Sequence, residues 1–263
     1  MPDRPRLTPA IADVRRAVRG ALDAAGLMPD ALVLVACSGG ADSLALAAAT
    51  AFEAPRAGLR AGAVVVDHQM QPGSANVAAT VAERLRALGL APVVVKTVEV
   101  GNEGGPEAAA RDARYAALDA AATELGAAKV LLGHTLNDQA ETVLLGLARG
   151  SGARSLNGMA AETGIYLRPL LGITRATTES FCSDSELEVW QDPMNADERF
   201  SRVRVRNNLL PALETELGPG VAEALARTAD QLREDDEVLT HLAEDAFKTV
   251  AQIKATQIEL DIA

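Results

Sequence analysis

Apolar and polar positions follow two periods through the first two thirds of the chain. Segments such as Ala31-Leu-Val-Leu-Val-Ala36 are short and apolar throughout, as strands buried on both faces are. Between them, apolar residues recur at three- and four-residue spacing, the period of an amphipathic helix. The pattern predicts helix over 9–25, strand over 31–36 and helix to about 52. Strand over 62–67 and helix over 74–88 follow, then strand over 92–98 and helix over 106–125. A last pair places strand over 129–133 and helix over 138–148. Short apolar strands separated by helices are parallel βαβ units, and right-handed crossovers make them a doubly wound α/β fold. After Gly150 the pattern loosens. Ser151-Gly152 and Asn157-Gly158 punctuate loops, and the stretch to Asn195 is irregular. From about Asp197 to the end the chain reads as mostly helical, broken at Pro211 and at Gly218-Pro219-Gly220. The expected organisation is a sheet domain over 1–215 and a smaller helical region over 216–263.

Composition narrows the class. With 48% hydrophobic and 23% charged residues the chain is too apolar to be disordered. No apolar run approaches the roughly 20 residues of a membrane span, and no apolar core follows the N-terminal charges as in a secretory signal. Cys37 and Cys182 are too isolated for a disulfide framework, so a cytoplasmic protein with no membrane partner is expected. The net charge of −11 excludes a globally basic nucleic-acid binder. Any such binding must come from a local patch.

Four segments carry candidate chemistry, and the first three sit where ligands bind in an open parallel sheet, at the carboxyl ends of strands. Ser38-Gly-Gly-Ala-Asp-Ser43 joins the first strand to a helix. Its glycines let backbone N–H groups close on an anion, and the helix N-terminus adds partial positive charge. It lacks the lysine of a P-loop and the spacing of a dinucleotide fingerprint. A valine at Gly39 is expected to obstruct this cradle while sparing the fold. Asp67 and His68 end the second strand, where Asp67 either meets a ribose or caps the next loop. His134, Asn137, Asp138 and Glu141 follow the fourth strand. Asp138 there reads as a helix N-cap with Glu141 three residues on, and the same spacing offers two acids to a cationic amine. The fourth segment puts Arg199, Arg202, Arg204 and Arg206 within eight residues, with Arg202 and Arg206 on one helical face. Phosphate is the natural partner of such a cluster, and Arg111 with Arg114 could extend it.

Together these segments resemble the tRNA(Ile)-lysidine synthetase family of PP-loop ATP pyrophosphatases. The resemblance runs through Ser38-Gly-Gly-Ala-Asp-Ser43, Ala110-Arg-Asp-Ala-Arg-Tyr115, His134-x-x-Asn137-Asp138-x-x-Glu141-Thr142 and Leu147-Ala-Arg-Gly-Ser-Gly152. It continues in Arg168-Pro-Leu-Leu171, Asp192-Pro-Met-Asn195 and Arg206-Asn-Asn-Leu-Leu-Pro211. Asn137 stands where the family usually has Asp, and Gln69 where it usually has Gly. The resemblance implies a PP-loop catalytic domain over 1–215 that joins free L-lysine to the wobble cytidine of a tRNA(Ile) with a CAU anticodon. ATP adenylates the cytidine, and AMP and pyrophosphate leave. It implies ATP at Ser38, Gly39, Gly40, Ala41, Asp42, Ser43, Asp67, His68 and His134, with Asp42 as a Mg²⁺ or loop-ordering group. It also implies catalysis by Asp138, Glu141 and Asp42, lysine held by Asp138 and Glu141, and tRNA held by Arg111, Arg114, Arg202 and Arg206. A homodimer is compatible with this reading. A PP-loop tRNA thiolase and a non-catalytic nucleotide-binding module are the alternatives.

Overall fold

The computed structural model describes residues 7–69, 71–99, 101, 105–150, 152–253 and 258–260. Ser151 of the Leu147–Gly152 motif and part of the expected helical region (254–257, 261–263) lie outside the described residues. Helix α1 (Pro9–Ala24) opens with Pro9 at its first position and Thr8 as cap. Then β1 (Leu32–Ala36), α2 (Ala41–Glu53), β2 (Arg60–Asp67) and α3 (Ser74–Ala87) alternate. They are followed by β3 (Val93–Thr97), α4 (Pro106–Leu125), β4 (Ala127–Leu132) and α5 (Leu136–Ala148). The four predicted strands and five predicted helices are present, with ends shifted by up to two residues.

Two features escape the periodic pattern. Strands β5 (Glu162–Thr163) and β6 (Tyr166–Leu167) extend the sheet, too short to show a period, and α6 (Arg175–Asp184) fills part of the stretch expected to be irregular. Thr174 caps α6 by accepting the Thr177 N–H, and its buried side chains are Thr178, Phe181 and Cys182. α7 (Ser201–Arg204) runs through a π-turn over Val205–Leu209 into α8 (Leu210–Leu217). The cause is Pro211, which lacks an N–H and whose ring would press on the Asn207 carbonyl four residues earlier. α9 (Val221–Val250) packs on α5. The expected helical tail is corrected at its end, where β7 (Ala251–Ile253) pairs antiparallel with β8 (Ile258–Leu260).

The sheet order is β3-β2-β1-β4-β6-β5, with β5 antiparallel to β6 and the other pairs parallel. Side-chain alternation divides the core. Val33, Val35, Ala63 and Val65 pack with α1, α2, α3 and α6 on one face. Leu32, Leu34, Val64 and Val130 pack with α4 on the other. The chain moves outward from β1 to β3, then returns to place β4 on β1's other side. This reversal leaves a crevice beyond the carboxyl ends of β1 and β4, where such folds bind ligands. Among the described residues no helix is long and apolar enough to cross a membrane.

Strand β2 meets the chain before β3 so closely that a Cβ at Gly62 would lie 2.6 Å from the Pro92 carbonyl oxygen and 2.9 Å from Leu34 Cδ2. Gly62→Ala is therefore expected to destabilise by about 1–3 kcal/mol. Gly20→Ala, in a helix with open space at the new methyl, should instead stabilise by about 0.5–1 kcal/mol. Thermal melts of the two variants check the opposite signs.

Candidate functional site

The nucleotide loop is shaped from within. Ser43 Oγ accepts the Ser38 N–H at 3.2 Å and donates to the Gly40 carbonyl at 3.0 Å, which closes the turn. The first intrahelical bond of α2 runs from Leu44 N–H to the Gly40 carbonyl. The N–H groups before it belong to the unsatisfied helix start that attracts anions. Gly39 has φ +89, and a Cβ there would lie 2.6 Å from Val81 Cγ2 and 3.3 Å from Trp190 Cβ. The expectation that Gly39→Val spares the fold is thus corrected: Gly39 is pressed against α3 and Trp190, so a side chain there disturbs packing first. Trp190 also donates its N–H to the Gly39 carbonyl at 2.8 Å. Gly133 brings the end of β4 against the loop's helix, since its Cβ would meet Asp42 C, Ser43 N and Ser43 Cα at 3.1 Å.

The helix cap after β4 is also corrected. α5 begins at Leu136, so Thr135 is the cap and Asp138 its third helical residue. Asp138 Oδ2 accepts both the Thr135 N–H and hydroxyl at 2.8 Å. That fixes the carboxylate and leaves Oδ1 pointing at arginines. Glu141 takes no part in the cap. It is fully buried and accepts Arg206 Nε at 2.8 Å, Arg202 Nε at 3.1 Å and Arg206 Nη2 at 3.1 Å. Arg202 also donates to Thr142 Oγ1 at 2.8 Å. The helical face predicted for Arg202 and Arg206 exists, but it is turned onto the acids. Each side chain is 25% exposed, so phosphate would compete with carboxylate for its donors.

Arg175, at the start of α6, completes the cluster and carried no sequence signal. Its Nη2 lies 3.3 Å from both Asp138 Oδ1 and Glu141 Oε1, and its Nε lies 3.6 Å from Asp42 Oδ2. Asn137 positions it by accepting the Arg175 N–H at 2.9 Å, while Leu136 N–H donates to the Ile173 carbonyl at 2.9 Å. Thr178, one turn on, donates to Asp42 Oδ1. Three carboxylates and three guanidiniums thus share one half-buried site.

The electrostatics divide these acids. Burial pushes Asp42 above the usual carboxylate range, and neither the Thr178 hydrogen bond nor Arg175 fully offsets it. Burial works in the same direction on Asp138, but Arg175 and the two Thr135 donors hold it below that range. Arg206 is desolvated, yet Glu141, Asp138 and Asp42 raise its pKa above the usual arginine value. His134 is held down to about 3, by burial first and by Arg114, Arg168 and Arg202, against the pull of Asp138. It is neutral near pH 7. Its Nδ1 has no partner among the described residues; nor do the buried His68 Nδ1 and Arg114 Nε.

The remaining predicted residues lie at the end of β2 and on α4. Asp67 is buried and accepts the Gln69 N–H at 3.0 Å, the loop-capping use. Gln69 itself has φ +54. That region suits glycine and costs an ordinary residue about 1 kcal/mol. Arg111 is exposed and Arg114 half-buried, their guanidiniums 5.2 and 5.6 Å from the Tyr115 ring centroid. Cys37 and Cys182 are free and buried.

Comparison with known proteins agrees with this geometry. The PP-loop domain family ATP_bind_3 matches residues 14–213. The tRNA(Ile)-lysidine synthase of Leifsonia xyli subsp. xyli (strain CTCB07) is 63% identical over 90% of this chain and 71% of its own length. That of Streptomyces coelicolor is 62% identical over 85% of this chain and 64% of its own. That of Thermobifida fusca is 59% identical over 93% and 75%. Among solved structures, the U34-tRNA thiolase NcsA from Methanococcus maripaludis, carrying a 4Fe-4S cluster, superimposes with a TM-score of 0.70 at 19% identity. That match covers 86% of this chain and 80% of the thiolase, and it shows the fold. With the loop, the acid-bearing helix and these relatives in agreement, the chain belongs to the tRNA(Ile)-lysidine synthase family of PP-loop proteins.

Proposed function

We propose that this chain joins L-lysine to C2 of the wobble cytidine of a tRNA(Ile) with a CAU anticodon. The observation that carries this reading is the juxtaposition of the Ser38–Ser43 loop with Asp138 and Glu141 across the β1–β4 crevice. In the first step the cytidine O2 attacks the α-phosphorus of ATP and pyrophosphate leaves. In the second the lysine ε-amine attacks C2, and AMP departs with the former O2. The loop's N–H groups stabilise the phosphates. We assign His68 and His134, whose Nδ1 atoms have no partner among the described residues, to the nucleotide, and Asp67 to its ribose.

Asp138 binds the amine. Its depressed pKa suits it to hold an ammonium rather than to remove its proton, so we assign it binding and send the proton onward to departing phosphate or solvent. Asp42, whose Oδ1 accepts from Thr178 and whose Oδ2 meets Arg175 only at 3.6 Å, would offer Oδ2 to a Mg²⁺ ion. The ion, when bound, would neutralise charge on the leaving pyrophosphate. Arg111 and Arg114 are the first candidates for tRNA phosphates, with Arg202 and Arg206 contributing the donors that Glu141 does not use. In a chain at −11 such a patch acts locally, because the Debye length is about 8 Å at physiological salt. The reaction is a cytoplasmic one, and a homodimer is compatible with it. A sulfur-transfer reading is less favoured, since both cysteines are buried and free.

Incubation with ATP, lysine and tRNA(Ile) should release AMP and pyrophosphate, and digested tRNA should contain cytidine heavier by lysine minus water. Production of ADP, or pyrophosphate release indifferent to lysine and tRNA, would contradict the assignment. Asp138→Asn should bind ATP near normally and lose roughly 150- to 5,000-fold in kcat/KM for lysine, since breaking a buried ion pair is worth about 3–5 kcal/mol. Steady-state kinetics with lysine varied checks this, and an unchanged kcat/KM would return Asp138 to capping alone. Arg111→Ala should lower the slope of log affinity against log salt for tRNA by about 0.7–0.9. A salt titration of tRNA binding measures it.

A further inference from the structure

The acid pair assigned to the amine is already neutralised by the protein's own cations. Arg202 and Arg206 hold Glu141 at 2.8–3.1 Å, and Glu141 is inaccessible. Of the four oxygens of Asp138 and Glu141, Asp138 Oδ1 has the weakest hold on it, meeting only Arg175 Nη2 at 3.3 Å and Arg206 Nη2 at 3.4 Å. An incoming ammonium must therefore displace a guanidinium there. Arg175 is the one loosely seated, since its contacts are 3.3, 3.3 and 3.6 Å. It alone spans both halves of the site. Its Nε faces Asp42 of the nucleotide loop while its Nη2 faces Asp138 and Glu141.

We propose that Arg175 is a positioning residue that occupies the ammonium subsite at Asp138 until nucleotide fills the Ser38–Ser43 loop. Phosphate at the loop attracts the guanidinium away from Asp138 Oδ1, which then accepts the lysine ammonium. Movement over this short distance needs no rearrangement of α6, whose start is pinned by Asn137 and Thr174. Nucleotide and amine thereby become coupled ligands, and by reciprocity each tightens the other by the same factor. The device keeps the amine subsite closed to small cations when there is no nucleotide for the amine to act on. This inference rests on the amine reading of Asp138 given above.

Isothermal titration of lysine into the whole protein, with and without α,β-methylene-ATP, tests it. For the wild type we expect lysine to bind about tenfold more tightly with the nucleotide analogue, within the usual range of coupled sites. In Arg175→Gln the coupling should vanish, and nucleotide-free lysine affinity should rise toward the wild-type value with nucleotide. A merely structural ion pair predicts the opposite sign, weaker lysine binding in both states, and that result overturns the inference. So does lysine binding to the wild type without coupling. No lysine binding to the wild type in either state overturns the amine-site reading and this inference with it. Should Arg175→Gln fail to fold, Arg175→Lys retains one charge without the fork. It should show coupling reduced several-fold, and full coupling in it would overturn the role of the guanidinium.

Discussion

Holding half-buried Asp42 beside the buried Asp138 and Glu141 is the constraint on which the rest of the structure depends. An unpaired carboxylate in a protein interior is destabilising by several kcal/mol, and three within one crevice would repel one another as well. The protein answers with three guanidiniums from two separate stretches, Arg175 on α6, and Arg202 on α7 with Arg206 in the π-turn that follows it. The resulting cluster has no formal net charge. It ties α2, α5, α6 and the helices after residue 200 to one another, and so holds the region beyond the sheet against the nucleotide loop.

The topology explains why this cluster lies beside the loop. The return from β3 to β4 sets the carboxyl ends of β1 and β4 next to each other, and Gly133 lets their following turns approach to backbone contact. α6 then closes the site from the side, with Thr178 and Arg175 on Asp42 and the Arg175 N–H on Asn137. An asparagine at 137 serves that last purpose as well as an aspartate would, because only an acceptor oxygen is required. Gly39, Val81 and Trp190 seal the loop's far side.

Much of this was legible in the residue pattern. Runs of consecutive apolar residues such as Leu32–Ala36, Ala61–Val66 and Val93–Val95 have few alternatives to buried strands, so the four parallel strands and the helices between them follow from the pattern. The loop after β1 and the acids after β4 were visible as polar groups at strand ends. What the pattern could not show is which charges meet. Arg175 lies in a polar stretch and finds Asp138 and Asp42 across 37 and 133 positions of chain. Arg202 and Arg206 read as an open basic face because helical spacing reveals which residues share a face, not what that face covers. The two-residue strands β5 and β6 were missed for a simpler reason. A period of two cannot be detected in two residues. Sequence alone does not separate Asp138 from Thr135 as the cap, because Asp and Thr are both good caps, and only the observed start of α5 decides between them.

The proposed role of one oxygen atom, Asp138 Oδ1, is tested most directly by a crystal structure of the protein with α,β-methylene-ATP and L-lysine. The expected result is phosphates against the Ser38–Ser43 backbone and the lysine ε-nitrogen within hydrogen-bond distance of Asp138 Oδ1, with the Arg175 guanidinium withdrawn toward the phosphates. An ε-nitrogen elsewhere, with all three guanidiniums still seated on Asp138 and Glu141, would show that these acids only hold the fold together.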